Sequence, residues 1–203
     1  MKHMKDRREG AKQPERFDPQ KSAQLDDPAR FDYLPPQELF ALLDAPQGAV
    51  VIDFGTGTGT YALQWAQARP DLTVIALDEQ PQMLALVNKK LSASPTPNVR
   101  PCLADAQGLT ALRARAARIL ALNVLHEMGD DAIRRLAALL ASDGQVVFID
   151  WNAAIERPVG PPRDHVHTPA EAGDRLKALG LDVLREQLFR YHYALVCQRR
   201  SPG

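Results

Sequence analysis

The feature that most constrains the fold is an alternation, beginning at Ala49, of short apolar runs with longer segments of helical period. The apolar runs are rich in Val, Ile and Leu and lie at 49–54, 72–78, 98–105, 118–124 and 145–150. Buried runs of this kind between amphipathic helices are typical of parallel strands joined by crossover helices. The pattern therefore predicts a doubly wound α/β domain.

Helical signals separate and flank these runs at 37–43, 79–91, 129–144 and 168–180. Thr168 stands at an N-cap position, and Glu171 three residues later completes a capping box. Gly144 and Gly180 are placed where helices end. The last twenty or so residues contain β-branched and aromatic runs, which predict a C-terminal antiparallel strand pair.

Residues 1–15 are charged and lack periodicity, so we expect a flexible tail followed by a single domain at 16–203. Within that domain, 16–45 is predicted to be an N-terminal arm and 46–203 the core. Prolines break Phe17–Pro36 into short pieces that still carry aromatic side chains, and these must be buried somewhere. We interpret this segment as a lid over the site; the alternative is a structural arm on the outer helices.

Composition excludes several classes of protein. The 25 basic and 25 acidic residues give a formal net charge of zero, so the chain has no basic footprint for nucleic acid. No apolar run approaches the length of a membrane span, and no secretory signal is visible at the N-terminus. The two cysteines, Cys102 and Cys197, lie in apolar runs and are interpreted as buried thiols. We expect a cytoplasmic protein that binds neither nucleic acid nor membrane.

The first strand ends in a glycine-rich loop, within the stretch "VVIDFGTGTGTYAL". Gly55, Gly57 and Gly59 leave no Cβ between the backbone and a ligand, and the loop passes directly into a helix. Asp78 ends the next strand 23 residues after Gly55, where a carboxylate can accept hydrogen bonds from both hydroxyls of a ribose. Loop and acid together predict a nucleoside-binding site.

Two cofactor classes share this description. The dinucleotide pattern G-x-G-x-x-G requires a third glycine where this chain has Thr60. The sequence instead reads D-x-G-x-G-x-G from Asp53 to Gly59, which resembles the first motif of the class I S-adenosylmethionine-dependent methyltransferases. The segments "ADAQGL", "LNVLHEM" and "DGQVVFIDW" are similar to later motifs of that family, in particular of the ubiquinone/menaquinone-biosynthesis type (type 11/25). The resemblance extends over roughly Asp18–Arg199.

The resemblance implies a seven-stranded, mostly parallel sheet with one antiparallel strand, and methyl transfer from S-adenosylmethionine to a small-molecule acceptor, with S-adenosylhomocysteine as product. A non-catalytic sensor of these compounds and a small NAD-dependent oxidoreductase stay open as alternatives. Asp53 suits a cationic sulfonium and ammonium better than a pyrophosphate, although it could instead cap local backbone N–H groups. Asp78 could likewise be a helix N-cap. The implied cofactor contacts are Asp53, Gly55, Thr56, Gly57, Gly59, Asp78, Glu79, Asp105, Ala106 and Asn123.

Displacement of a methyl group from a sulfonium requires mainly alignment of the acceptor, and a base is optional. His126 follows the fourth strand at the ligand-binding edge and is the candidate base; a structural hydrogen bond is the alternative. No metal is expected, because the alternating pair His165 and His167 has no third ligand nearby. The candidate substrate or lid residues are Phe31, Tyr33, Asp150, Trp151, His165 and His167.

Overall fold

The computed structural model describes residues 18–200, so the tail predicted at 1–15 and the aromatic residue Phe17 lie outside the described residues. The helices are α1 Pro36–Leu43, α2 Thr60–Ala68, α3 Pro81–Ala93, α4 Ala106–Leu112, α5 Asp130–Ala137 and α6 Pro169–Ala178. The strands are β1 Val50–Phe54, β2 Thr73–Asp78, β3 Val99–Leu103, β4 Ala116–Leu122, β5 Leu140–Trp151, β6 Leu181–Leu188 and β7 His192–Arg199. Short 3₁₀ turns cover Pro19–Asp26, Pro28–Asp32, Leu125–Glu127 and Arg163–His165.

The seven strands form one sheet in the order β3-β2-β1-β4-β5-β7-β6. The first five pair in parallel, whereas β7 runs antiparallel to both β5 and β6. The doubly wound α/β fold and the C-terminal antiparallel pair are therefore confirmed. The strand order reverses between β1 and β4, and ligands in such sheets bind at the carboxyl ends of the strands at that point.

The fifth strand differs from its predicted extent. The helix predicted over 129–144 ends at Ala137, and β5 begins at Leu140, before the predicted stop at Gly144. Leu140 lies opposite Ala116 of β4 and is fully buried in the sheet, so its place in the apolar stripe reflects a strand core and not a helix face. Tertiary pairing overrides the helical period here. The capping box of Thr168 and Glu171 is confirmed at the start of α6.

The core lies on both faces of the sheet. One cluster contains Leu39 and Trp65 from α1 and α2, and the other contains Phe148 of β5 with the helices of the opposite face. Both cysteines are free thiols. Within residues 18–200, no helix is long and apolar enough to cross a membrane.

Candidate functional site

The glycine-rich loop leaves β1 in a tight turn. Gly55, Gly57 and Gly59 have φ values of 71°, 55° and 77°, in the left-handed region that favours glycine. The Gly55 N–H donates to the Leu77 carbonyl at 2.8 Å, which ties the loop to β2. A Cβ added at Gly55 would lie 2.6 Å from Cγ1 of Val124, a residue that follows β4 in the chain. The loop is thus held between the ends of β2 and β4 and tolerates no side chain at its first glycine.

Asp78 joins the loop to the next helix. Its Oδ2 accepts a hydrogen bond from the Gly57 N–H at 2.8 Å, and its Oδ1 accepts one from the Gln80 N–H at 2.9 Å. Burial raises the pKa of this carboxyl group, and the two backbone donors oppose that effect. Each oxygen keeps a lone pair beyond these bonds. The carboxylate can therefore hold the loop and still accept from a ligand hydroxyl.

Asp53 is an acid inside the sheet. It is 3% exposed, and its Oδ2 accepts a hydrogen bond from Thr56 Oγ1 at 2.7 Å. Burial raises the pKa of Asp53 to about 6, against the opposing effect of the Thr56 bond, and the nearby Asp78 adds to the rise. A cation bound beside this carboxyl group would favour its ionised form.

Asn123 follows β4 in a conformation that non-glycine residues seldom adopt, with φ 56°. Its N–H donates to the Ile149 carbonyl at 2.7 Å, whereas its buried Oδ1 has no hydrogen-bond partner within residues 18–200. An unpaired buried acceptor on a strained residue is typical of a ligand site.

The part of the predicted N-terminal arm that precedes α1, from Asp18 to Pro35, lies outside the sheet and covers the glycine loop. It is called the arm from here on. A Cβ added at Gly57 would lie 2.8 Å from Leu25 Cδ1. Farther along the arm, Phe31 packs edge-on against Tyr61 of α2, whose hydroxyl donates to the Leu34 carbonyl at 3.0 Å. The arm therefore contacts both the loop and the outer helix.

A polar cluster fixes the arm over the loop; we call Asp26, Thr58, Thr60 and Lys90 the latch. Asp26 Oδ1 accepts hydrogen bonds from Thr58 Oγ1 at 2.5 Å, from Lys90 Nζ at 2.6 Å and from Thr60 Oγ1. Burial opposes ionisation of Asp26, but these donors outweigh it and lower its pKa. The latch joins the arm, the loop and α3, and no motif in the sequence indicated it.

His126 forms a dyad with Asp150 at the ends of β4 and β5. Its Nδ1 donates to Asp150 Oδ1 at 2.8 Å, and its backbone N–H donates to Asp150 Oδ2 at 2.8 Å. Nε2 lies 3.6 Å from Glu127 Oε1. Burial opposes protonation of the ring, but Asp150 and Glu127 outweigh it and raise the pKa of His126. The carboxylate orients the ring as a base requires.

An aromatic cluster lies beside the dyad and brings the arm to the C-terminal strand. The Tyr33 ring stacks on His192 with centroids 5.7 Å apart, and Trp151 lies 3.9 Å from His192. His192 is fully buried, and neither ring nitrogen has a partner within residues 18–200. Burial lowers its pKa to about 3, with Arg30 and Arg157 contributing. Nothing in the pattern of a β-strand marks such a contact, so the sequence does not indicate this role for His192.

The remaining candidates lie farther from this centre. Asp105 is exposed after β3 and accepts from the Gly108 N–H at 2.8 Å as the N-cap of α4, beside Ala106. Glu79 is exposed after β2. His165 is exposed and His167 half-buried on the segment that precedes α6, and no group of three possible metal ligands occurs within residues 18–200.

Comparisons with known proteins agree with this geometry. A family model described as a methyltransferase domain matches residues 51–144, which include the loop, Asp78, Asp105 and His126. A S-adenosylmethionine-dependent methyltransferase from Aquifex aeolicus superposes with a TM-score of 0.82 at 25% identity, covering 90% of this chain and 98% of that one. A putative type 11 methyltransferase from Sulfolobus solfataricus shares the fold, with a TM-score of 0.68 at 22% identity over 84% and 95% of the two chains.

Residues 51–144, just under half of the chain, match a methyltransferase domain, and the fold of the chain is similar to that of a S-adenosylmethionine-dependent methyltransferase over 90% of its length. Among curated relatives, a trans-aconitate 2-methyltransferase from Deinococcus radiodurans is 40% identical over 76 residues, and a tRNA (guanine-N(7)-)-methyltransferase from Lactiplantibacillus plantarum is 33% identical over 60. These matches cover 37% and 30% of this chain, and each spans 28% of the relative's length.

The groups present in this site fit a cationic nucleoside ligand. Asp53 and Asp78 supply carboxyl oxygens on either side of the glycine loop, and Asn123 supplies a buried oxygen that lacks a partner. All three are acceptors, whereas a pyrophosphate would require donors and would be repelled by the acids.

Proposed function

We propose that the protein transfers a methyl group from S-adenosylmethionine to a small-molecule acceptor. The observation that carries this proposal is the glycine loop hydrogen-bonded to Asp78, with the buried carboxyl group of Asp53 at its base. When bound, S-adenosylmethionine supplies a methyl group on a sulfonium, and the C–S electron pair stays with the departing thioether.

Three residues have distinct binding roles in this proposal. Asp78 accepts hydrogen bonds from the ribose hydroxyls through the lone pairs that its backbone donors leave available. Asp53 pairs with the ammonium of the methionine part, and the cation lowers the pKa that burial has raised. Asn123 turns its unpartnered Oδ1 to a donor of the ligand. Asp105 and Ala106 border the adenine, as the family resemblance implies.

His126 acts as the general base for acceptors that lose a proton when they are methylated. Asp150 fixes the proton on Nδ1 and leaves Nε2 as the basic nitrogen. The proton passes from the acceptor to Nε2 as the acceptor atom forms its new bond to carbon. Asp150 is itself held by the backbone N–H groups of His126 and Trp151, so it is a positioning residue.

A small acceptor is favoured over RNA by the shape and charge of the chain. The net charge is zero, and two members of the aromatic cluster beside the dyad are buried, with Trp151 8% and His192 0% exposed. The match to the tRNA methyltransferase covers only 30% of the chain, so it does not favour a tRNA acceptor for the whole protein. The relative that methylates trans-aconitate provides a precedent for a small acceptor.

The arm acts as the lid of the site. Leu25 and the latch lie directly on the loop that holds the cofactor, and Tyr33 covers the aromatic cluster. A closed arm excludes water from the site, and an open arm admits ligands. Because Leu34 is fully buried in the core, the last part of the arm is also structural.

Two measurements test the proposal. Calorimetry should show binding of S-adenosylhomocysteine and none of NAD⁺, because the loop has Thr60 in place of the third dinucleotide glycine. A screen of cell metabolites with S-adenosylmethionine labelled on its methyl group should reveal a labelled small product. Binding without transfer to any metabolite, RNA or protein would instead indicate a sensor, and binding of NAD⁺ alone would indicate an oxidoreductase.

A further inference from the structure

Two arginines that act electrostatically on His192 have no acidic partner in a salt bridge among the described residues. Arg30 lies 5.3 Å from the centroid of the Tyr61 ring, and its Nη1 donates to the Leu25 carbonyl at 2.5 Å. Arg157 lies 5.2 Å from the centroid of the Trp151 ring, and its Nη2 donates to the Pro161 carbonyl at 2.5 Å. Within residues 18–200, neither guanidinium is in a salt bridge. Their charges are therefore not neutralised by a carboxylate contact.

The lack of a partner is clearest at Arg157. Its Nε is buried and has no hydrogen-bond partner within the described part of the chain. Gly160, with φ 97°, lies over it, and a Cβ there would be 3.1 Å from Nε. Burial lowers the pKa of Arg157, and the nearby Arg163 adds to this effect, while Asp150 opposes it. Arg157 is half-buried, and a guanidinium with a buried unpaired nitrogen and no counter-ion is expected to favour an anionic ligand.

His192 links the two arginines. Burial lowers its pKa, and the charges of Arg30, Arg157 and His126 lower it further, so the imidazole is neutral. A neutral imidazole offers one donor and one acceptor, and both nitrogens of His192 are unpaired in the described chain. The rings of Trp151 and Tyr33 pack against His192, and Trp151 also contacts Arg157.

The acids nearby, Glu127, Asp150 and Asp53, already have partners, and Glu127 Oε1 lies 3.6 Å from His126 Nε2. Asp150 accepts from the His126 ring and from two backbone N–H groups, and Asp53 accepts from Thr56. A sulfonium ligand would add positive charge to this part of the site. A cationic acceptor would then be repelled, whereas an anionic one would be attracted and oriented.

We propose that Arg157 and Arg30, together with His192, bind an acidic group of the methyl acceptor, so that the substrate is a small organic anion. This inference rests on the proposed function. Trp151 and Tyr33 contact the apolar part of the acceptor, and the burial of His192 restricts the subsite to small molecules. Carboxylate and phosphate groups share the required chemistry, because both accept paired hydrogen bonds from a guanidinium.

The test uses the full chain saturated with S-adenosylhomocysteine and measures binding of defined probes by calorimetry. Benzoate, cinnamate and fumarate are each compared with the corresponding amide, which has nearly the same shape and no charge. Phenyl phosphate distinguishes a phosphate subsite from a carboxylate subsite. We expect at least one acid to bind and its amide to bind at least about tenfold more weakly, as for loss of a charge-assisted hydrogen bond.

Two variants test whether Arg157 causes the preference for an acid over its amide. Arg157→Gln should weaken binding of that acid by about tenfold or more while leaving affinity for S-adenosylhomocysteine unchanged. Arg200→Gln is the matched control, because Arg200 pairs with Asp182 on the surface and should have no effect. If Arg157→Gln does not fold, Arg30→Gln provides the same comparison.

The outcomes separate the two proposals. Acids that bind no better than their amides, or an acid preference that survives both arginine variants, overturn the anion subsite while S-adenosylhomocysteine still binds. Tight binding of a tRNA mixture with no binding of any acid also overturns it and indicates an RNA acceptor. Failure to bind S-adenosylhomocysteine overturns the proposed function itself, and the subsite proposal with it.

Discussion

Replacing Asp53 with Asn should stabilise the protein and weaken its cofactor binding at the same time. The folded-state pKa of Asp53 is about 6, against 3.8 for the unperturbed group, because the side chain is buried. At about 1.4 kcal/mol for each pKa unit, the difference of about 2 corresponds to about 3 kcal/mol. Above pH 6 the folded chain carries that cost as a buried charge, and the amide removes it. Asn can still accept the hydrogen bond from Thr56 Oγ1.

The sign of the pH dependence follows from the raised pKa. The contribution of Asp53 to the free energy of unfolding is fully present below pH 3.8 and is lost as the pH rises through about 6. Asp53→Asn should therefore be more stable than the wild type by up to about 3 kcal/mol at pH 7, and the difference should vanish towards pH 4. Urea denaturation at a series of pH values measures this, with the exposed Asp143→Asn as the control.

Binding should change in the opposite direction. In the wild type, affinity for S-adenosylhomocysteine should fall as the pH drops below about 6, because a protonated Asp53 cannot pair with the ligand ammonium. The Asn variant should bind about 10- to 150-fold more weakly at pH 7, which corresponds to about 1.5–3 kcal/mol, and with little dependence on pH. A variant that is less stable at pH 7, or that binds as tightly as the wild type, would refute the assignment.

The other predictions concern the ribose, the base, the lid and metals. Asp78→Ala should cost about 1–3 kcal/mol of S-adenosylhomocysteine affinity by calorimetry, since it removes a charged acceptor; unchanged affinity would exclude Asp78 from the ribose role. His126→Gln should slow methyl transfer about 100-fold or more at unchanged cofactor affinity, and a full rate would exclude it as the base. In Asp150→Asn, the decrease of the methyl-transfer rate at acidic pH should move to lower pH, because Asp150 raises the pKa of His126. A pH–rate profile with an unchanged inflection point would contradict this. Asp26→Ala removes the latch and should speed dissociation of S-adenosylhomocysteine in stopped-flow measurements, and an unchanged rate would leave the arm a structural element. A chelator should leave methyl transfer intact, and loss of activity that zinc or magnesium restores would revive a metal site.

Local patterns were sufficient for most of the fold. Alternating apolar runs predicted β1 to β5 because a parallel strand buried on both faces needs an uninterrupted apolar segment. The capping box at Thr168 was predictable because its hydrogen bonds join residues three apart. The end of α5 was not predictable from the sequence, because the apolar residues at 139 and 140 fit a helical stripe and a buried strand equally well. Pairing with β4 decides that they belong to a strand.

The cofactor side of the candidate site follows from the sequence for the same reason. The glycine loop and Asp78 form one crossover unit, so their spacing along the chain fixes their spacing in space. Other residues of the site could not be predicted in this way. Asp26, Arg157 and His192 come from the arm, a loop and the last strand, and none belongs to a motif.

By itself, then, the sequence determined a doubly wound sheet, a loop shaped by glycines and two acids beside that loop. Only the tertiary structure decided that Asp150 orients His126, that Asp26 latches the arm to Lys90, and that the His192 ring packs against Tyr33 and Trp151 with no hydrogen-bond partner within residues 18–200. These contacts join residues 24, 64 and more positions apart. Their geometry depends on how distant segments pack, and short-range periodicity carries no record of it.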